Sequence, residues 1–171
     1  LCALPLVNDE PFAVVLADDL IDAQVPVLKQ MIDLFNGHSI LGLQNVAREE
    51  TSQYGIVKAD PPIGRQSHII VEKPMPSAAP STLGVVGRYV LTPRIFHHLK
   101  TIAPGTGGEI QLTDGIASLL KEEGVVGYEF EGKRYDCGSK LGYLKATVAY
   151  GLKHGEVAGD FAAYLREVDA R

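Results

Sequence analysis

The sequence predicts an α/β fold, and three observations carry that reading. Residues 12–16 (FAVVL) form an apolar run without alternation, as expected of a strand covered on both faces. Residues 24–35 follow with Val25, Leu28, Met31, Ile32 and Phe35 at helical spacing, stopped by Asn36-Gly37. Residues 39–46 (SILGLQNV) then read as a second strand. Strand, helix and strand in such close succession is the signature of a crossover between parallel strands.

The middle of the chain changes character. From 54 to 90 it is punctuated by proline and glycine and shows no long helical period. Residues 55–57, 68–73 and 84–90 read as strands, with a turn at 60–64 (DPPIG) and a proline-rich loop at 75–81 (MPSAAPS). Helices return at Thr92, an expected N-cap, with Pro93 at the first helical position and Ile95, Phe96 and Leu99 as the apolar face. A glycine-rich break at 104–108 precedes a helix over 110–123, with Ile116, Leu119 and Leu120 facing inward and Gly124 as its stop. Residues 125–130 return to strand character, and 133–135 form a short strand candidate. Ser139 opens a long helix to His154 with Leu141, Leu144, Val148 and Leu152 spaced for burial. A last helix covers 157–168.

Composition bounds the function. A chain of 171 residues, 46% of them hydrophobic, suits one globular domain over 1–171. A net charge of -5, with no cluster of Lys or Arg, argues against a nucleic-acid surface. No apolar run reaches the roughly 20 residues needed to cross a bilayer. No membrane partner is expected, and no charged segment precedes an apolar stretch, so no signal peptide is visible in a chain that does not start with Met. Cys2 and Cys137 lie far apart and read as reduced residues of a cytoplasmic protein, each a small buried or half-buried hydrophobe.

The chemistry concentrates at a few positions. Glu72-Lys73-Pro74 ends the apolar run at 69–71: a carboxylate that can accept sugar hydroxyls beside an ammonium that can meet a phosphate. Consecutive strand residues point to opposite faces, so both can serve one ligand only if the strand ends there. Pro74 stops the ladder and biases Lys73 toward extended geometry. Gly55 and Gly87 each read either as a close backbone approach to a ligand or as a bulge or turn. Asp18 follows a strand directly and Asp136 precedes a glycine and a helix start. Two carboxylates delivered at the ends of strands can hold Mg²⁺, which takes one or two protein carboxylates with phosphates and waters. Equally, Asp18 or Asp19 can cap a turn, and Asp136 the helix near Ser139. His97 and His98 are helical neighbours that do not share a face, so they read as a solvated pair rather than a metal site. The glycines at 105–108 follow a helix rather than a strand, which argues against a phosphate cradle.

Taken with 16–19 (LADD), 44–46 (QNV), 49–57 (EETSQYGIV), 107–114 (GGEIQLTD) and 130–138 (FEGKRYDCG), these residues give the chain a resemblance to a known family. Over nearly its whole length it resembles the bacterial UTP–glucose-1-phosphate uridylyltransferases, of the sugar-nucleotidyltransferase superfamily. The resemblance implies a Rossmann-like, GT-A-like mixed sheet flanked by helices. It also implies in-line attack of the glucose 1-phosphate oxygen on the α-phosphorus of UTP, releasing pyrophosphate and UDP-glucose. By position, Asp18 and Asp136 would hold Mg²⁺, with Asp18 favoured over Asp19. Glu72 would accept glucose hydroxyls and Lys73 would contact the phosphates, so Lys73, Asp18 and Asp136 form the expected catalytic set. Gly55 and Gly87 would lie against the sugar, and Glu109 with 111–114 would sit near the sugar pocket, helix capping by Glu109 being the alternative. UTP and glucose 1-phosphate are the implied partners, in a homodimer or tetramer.

The chain also departs from that family. It carries neither the glycine-rich loop with its Thr-Arg nor the residues that read uracil, and Ala17 stands where a proline is more usual. The expectation is therefore the C-terminal part of a longer enzyme, inactive alone, holding the sugar and metal half of the site without the nucleotide-binding part. Two alternatives stand beside it: a thymidylyl- or other nucleotidyltransferase acting on glucose 1-phosphate, and a non-catalytic sugar-phosphate-binding or oligomerisation module.

Overall fold

Short strands separated by turn residues must pair with distant partners to satisfy their backbone groups, and here those partners arrange them in two sheets. The computed structural model describes residues 1–59, 66–105 and 108–170, the side chains of 59 and 66–68 excepted. The expected turn at 60–64 and residues 106 and 107 of the glycine-rich stretch lie outside the described residues. In chain order the strands are β1 (Phe12–Val15), β2 (Asp19–Asp22), β3 (Ser39–Asn45), β4 (Gly55–Ala59), β5 (Gln66–Glu72), β6 (Leu83–Leu91), β7 (Val125–Glu129) and β8 (Lys133–Asp136). The helices are α1 (Leu4–Val7), α2 (Val27–Asp33), α3 (Ile95–Thr101), α4 (Leu112–Leu119), α5 (Lys140–Gly151) and α6 (Ala158–Asp169), with a 3-10 segment at Arg48–Gln53. The chain divides into two compact units: Leu1–Leu16 with Ala23–Gly132, and Ala17–Asp22 with Lys133–Arg171.

The first unit is built on a six-stranded mixed sheet in the order β1-β6-β3-β7-β5-β4. β3 is its buried centre, antiparallel to β6 on one side and parallel to β7 on the other. β4 pairs with β6 as well as β5, through Ile56↔Gly84 and Val57↔Leu83, so the sheet curls back on itself. β1 and β3 do run parallel, both being antiparallel to β6, but β6 lies between them rather than leaving them neighbours. β1 is covered on one face and not two: Phe12 and Val14 are half-buried, Ala13 and Val15 exposed.

Helices flank this sheet within the first unit. α2 starts only after Pro26, which fixes the chain's entry, and it buries Val27 and Met31 while Val25 and Ile32 stay exposed. Thr92 does not cap α3 as the sequence suggested. Its backbone N–H donates to Ser39 Oγ at 3.0 Å and its hydroxyl donates to Glu123 Oε1 at 2.8 Å, so α3 begins at Ile95. Ile95 and Phe96 from α3, Ile116 and Leu119 from α4, and Leu41, Val57, Leu91 and Val125 from the sheet make one apolar core.

The second unit pairs β2 with β8, antiparallel, followed by α5 and α6. β2 carries an aspartate at each end, which hid it from the sequence pattern. α5 is capped as expected, Ser139 Oγ accepting the Gly142 N–H at 3.0 Å. Its inward face is a correction. Leu141, Leu144, Val148 and Leu152, spaced for burial, are exposed, and Ala146 is buried instead. The cause is close approach: a Cβ on Gly142 would lie 1.8 Å from the Asp136 carbonyl oxygen, so only small residues fit on the side facing β8. Cys2 is exposed where burial was expected, and Cys137 is half-buried; both thiols are free. Among the described residues no helix is long and apolar enough to cross a membrane.

Candidate active site

In the first unit the acid–base doublet sits where two strands end. Gly55, the first residue of β4, is paired with Glu72, the last of β5. Lys73 then adopts φ +42°, a left-handed backbone, and its N–H donates to the Tyr54 carbonyl at 3.0 Å. The extended geometry expected from Pro74 is thereby corrected. The left-handed residue ends the alternation of faces, and Lys73 Nζ comes 3.7 Å from Glu72 Oε1, so the two charges stand together. The Glu72 side chain is 25% exposed and that of Lys73 60%, which leaves both within reach of solvent and ligand.

Gly55 is buried, and neither a bulge nor a turn explains it. A Cβ there would lie 3.2 Å from Thr113 Oγ1 and 3.3 Å from Glu72 Oε2. Thr113, in the first turn of α4, thus joins Glu72 over the Gly55 backbone. The sequence named it only inside the 107–114 motif; the signal that singles it out is spatial. Gly87 is buried in β6, its carbonyl accepting the Leu16 N–H and an Arg88 Nη1–H, each at 2.9 Å. Glu109 has an exposed side chain, and its carbonyl accepts the Gly105 N–H at 2.8 Å. It does not cap α4, whose N-cap is Gln111. The structure therefore gathers Gly55, Glu72 and Lys73, and leaves Gly87 on β6 and Glu109 in the segment before α4.

The second unit brings the two aspartates together. Asp19 stands opposite Asp136 in the β2–β8 ladder, and the Cys137 N–H donates to the Asp18 carbonyl at 2.7 Å. These bonds hold Asp18 beside the turn that follows β8. A Cβ on Gly138 would lie 3.1 Å from both Asp18 Oδ2 and Asp136 Oδ1, so the carboxylates converge on a space that glycine keeps open. Asp136 Oδ1 also accepts the Gly138 N–H at 3.0 Å, and the helix cap belongs to Ser139. Asp19 differs from Asp18: it is 5% exposed and ion-paired with Arg134, whereas Asp18 is exposed. Among the described residues no group of three or more metal-ligating side chains exists. A pair of carboxylates over an open gap fits Mg²⁺, which fills its remaining octahedral positions with phosphate oxygens and water.

A third polar cluster lies at the end of α3, in the first unit. Arg94, His97, His98 and Glu122 line a cavity of about 300 Å³. The histidines are not a solvated pair: His97 is exposed, but His98 is 2% exposed, with Nδ1 3.0 Å from Ser118 Oγ. Arg94 Nη2 donates to Glu122 Oε2 at 2.8 Å, and that hydrogen bond holds the Glu122 carboxyl below its ordinary value.

A curled mixed sheet with Gly55, Glu72 and Lys73 at its strand ends points to a class. The chain belongs to the nucleotidyl transferase family, whose profile matches residues 2–152. Within that class it is similar to the UTP–glucose-1-phosphate uridylyltransferase of Staphylococcus epidermidis, 42% identical over 171 residues, covering 98% of this chain and 59% of that protein. A crystal structure of UDP-glucose pyrophosphorylase complexed with UDP-glucose matches with a TM-score of 0.84 at 44% identity, over 89% of this chain and 60% of that one. UDP-glucose pyrophosphorylase from Acinetobacter baumannii matches with a TM-score of 0.85 at 39% identity, over 98% of this chain and 60% of that one. The chain spans less than two thirds of the length of each of these relatives.

Proposed function

We propose that these 171 residues serve the transfer of a uridylyl group from UTP to glucose 1-phosphate, giving UDP-glucose and pyrophosphate, and supply the sugar- and metal-binding share of that reaction. What supports the reading above all is 42% identity, along nearly the whole chain, to a relative named for that activity. The chemistry of the residues agrees with it. Glu72 accepts hydroxyls of the hexose, and the Gly55 backbone, kept free of a Cβ, lets the sugar ring approach closely. Lys73, turned to the same side as Glu72, meets the phosphate as a compact positive charge. Asp18 and Asp136 would hold Mg²⁺. Bound there, the ion would offset charge on the phosphate oxygens during transfer. Phosphoryl chemistry of this kind asks mostly for positioning and charge neutralisation, and each of these residues supplies one or the other.

Free thiols at Cys2 and Cys137 suit a reducing, cytoplasmic setting for the reaction. The exposed apolar stripe of α5 supports a homo-oligomer, which light scattering reads.

The test is pyrophosphate release by the full-length gene product given UTP and glucose 1-phosphate, with and without Mg²⁺. Glu72→Gln should raise KM for glucose 1-phosphate about tenfold or more, the worth of a hydrogen bond to a charged group. Asp136→Ala should lower kcat by roughly a hundredfold or more. No turnover with these substrates would end the reading; full turnover by Asp136→Ala would end the metal assignment alone.

A further inference from the structure

We propose that Arg134, anchored by the buried Asp19, is the positioning residue that aims the Asp136 carboxylate at the metal; this rests on the metal reading above. Arg134 and Asp136 are two apart on β8 and share a face, and Asp19 lies opposite Asp136 across the ladder. The guanidinium is therefore diagonal to Asp19 and beside Asp136. Its Nε donates to Asp19 Oδ1 in an ion pair whose side chains are 10% and 6% exposed. Its Nη2 lies 3.8 Å from Asp136 Oδ2. The other Asp136 oxygen, Oδ1, accepts the Gly138 N–H and faces the gap shared with Asp18. The guanidinium thus stands at ion-pair distance behind one oxygen of the carboxylate while the other is turned to the gap.

The charges fit the same role. A lone arginine beside a cation site would repel a cation, but Asp19 offsets it, so Asp18 and Asp136 would offer their charge to Mg²⁺ undiminished. The pairing also takes Asp19 out of competition as a ligand, which explains why the exposed neighbour, Asp18, is the one left available. Carboxylate ligands are commonly held in this way by partners that do not touch the metal, and losing such a partner weakens metal affinity about 10- to 100-fold.

The test uses the purified protein and Mn²⁺ alone, followed by paramagnetic broadening of the Gly138 amide resonance, a readout independent of turnover. Arg134→Lys keeps the charge but loses the planar fork. The double variant Asp19→Asn with Arg134→Gln removes one charge of each sign, so no buried ion is left unpaired, and it carries the test if Arg134→Lys does not fold. Both should weaken Mn²⁺ binding about tenfold while the rest of the spectrum keeps its dispersion. Lys153→Met, which breaks the Lys153–Asp22 pair of the same unit, should leave the affinity unchanged. Wild-type affinity in both Arg134 variants, or an equal loss in Lys153→Met, overturns the proposal. Asp136→Ala separates the two levels. If it leaves the Gly138 broadening intact, the metal reading itself falls; if it abolishes the broadening while the Arg134 variants do not, only the positioning role falls.

Discussion

At Lys73 a single backbone angle decides whether an acid and a base can share a ligand. A non-glycine residue at φ +42° is strained by roughly 1–2 kcal/mol, and the strain is held by the bond from its N–H to the Tyr54 carbonyl. Glycine carries no such penalty. Lys73→Gly should therefore be more stable to urea than Lys73→Ala by about 1 kcal/mol, although both lose the ammonium. The reverse order would show that the residue is not left-handed in solution. The sequence made the doublet and its strand end legible, because Pro74 cannot continue a ladder. The angle itself was not legible, since the partner that holds it, Tyr54, belongs to another strand end. Gly55 was ambiguous for the same reason: its neighbours Thr113 and Glu72 are distant in the chain and meet only in space.

Among the elements, α5 shows where periodicity stops being informative. Its start was legible from Ser139, a preferred cap. Its buried face was not, because an apolar stripe at helical spacing says that a face exists, not that anything covers it. What decides is the distance to β8. An exposed helical glycine replaced by alanine ordinarily gains about 1 kcal/mol. At Gly142 the sign should reverse: a Cβ 1.8 Å from the Asp136 carbonyl oxygen must push helix from strand, costing about 1–3 kcal/mol in a thermal or urea melt. A stabilised Gly142→Ala would mean that α5 stands further from β8. The turn after α4 offers a pH-dependent counterpart. Glu122 is held below its ordinary 4.5 chiefly by the hydrogen bond from Arg94, with His98 and His97 adding to it against the opposing effect of burial. A carboxyl whose folded value is depressed contributes stability that is complete above the unfolded value and is lost as pH falls through the folded one. Above pH 4.5 wild type should have a higher urea midpoint than Glu122→Gln, and the difference should vanish in more acid solution. A difference that persists there would show that Glu122 acts by packing rather than charge.

For the molecule as a whole, the α/β class and most strands were legible from apolar runs and turn residues. The sheet order was not, because β6 comes to lie between β1 and β3 through pairings spread along the chain. The aspartate pair shows the same division: spacing left Asp136 as either a ligand or a cap, and only the fold gives the cap to Ser139 and turns Asp136 toward Asp18. The distribution of burial carries a last consequence. In the first unit Ile40, Leu41, Val57, Val125 and Leu119 are wholly buried. In the second, the buried side chains among the described residues are Asp19, Tyr135 and Ala146, while the long apolar residues of α5 face solvent. Local opening is cheapest where few apolar contacts must be broken. In the monomer, amide hydrogen exchange should therefore be slowest in β3 and β7, and roughly tenfold or more faster in α5 and α6. The cap and the β2–β8 ladder add hydrogen bonds, but exposed backbone bonds without an apolar cover exchange through small fluctuations and do not close that gap. If the α5 amides are instead protected as well as those of β3, the stripe of Leu141, Leu144, Val148 and Leu152 is covered in solution by another surface.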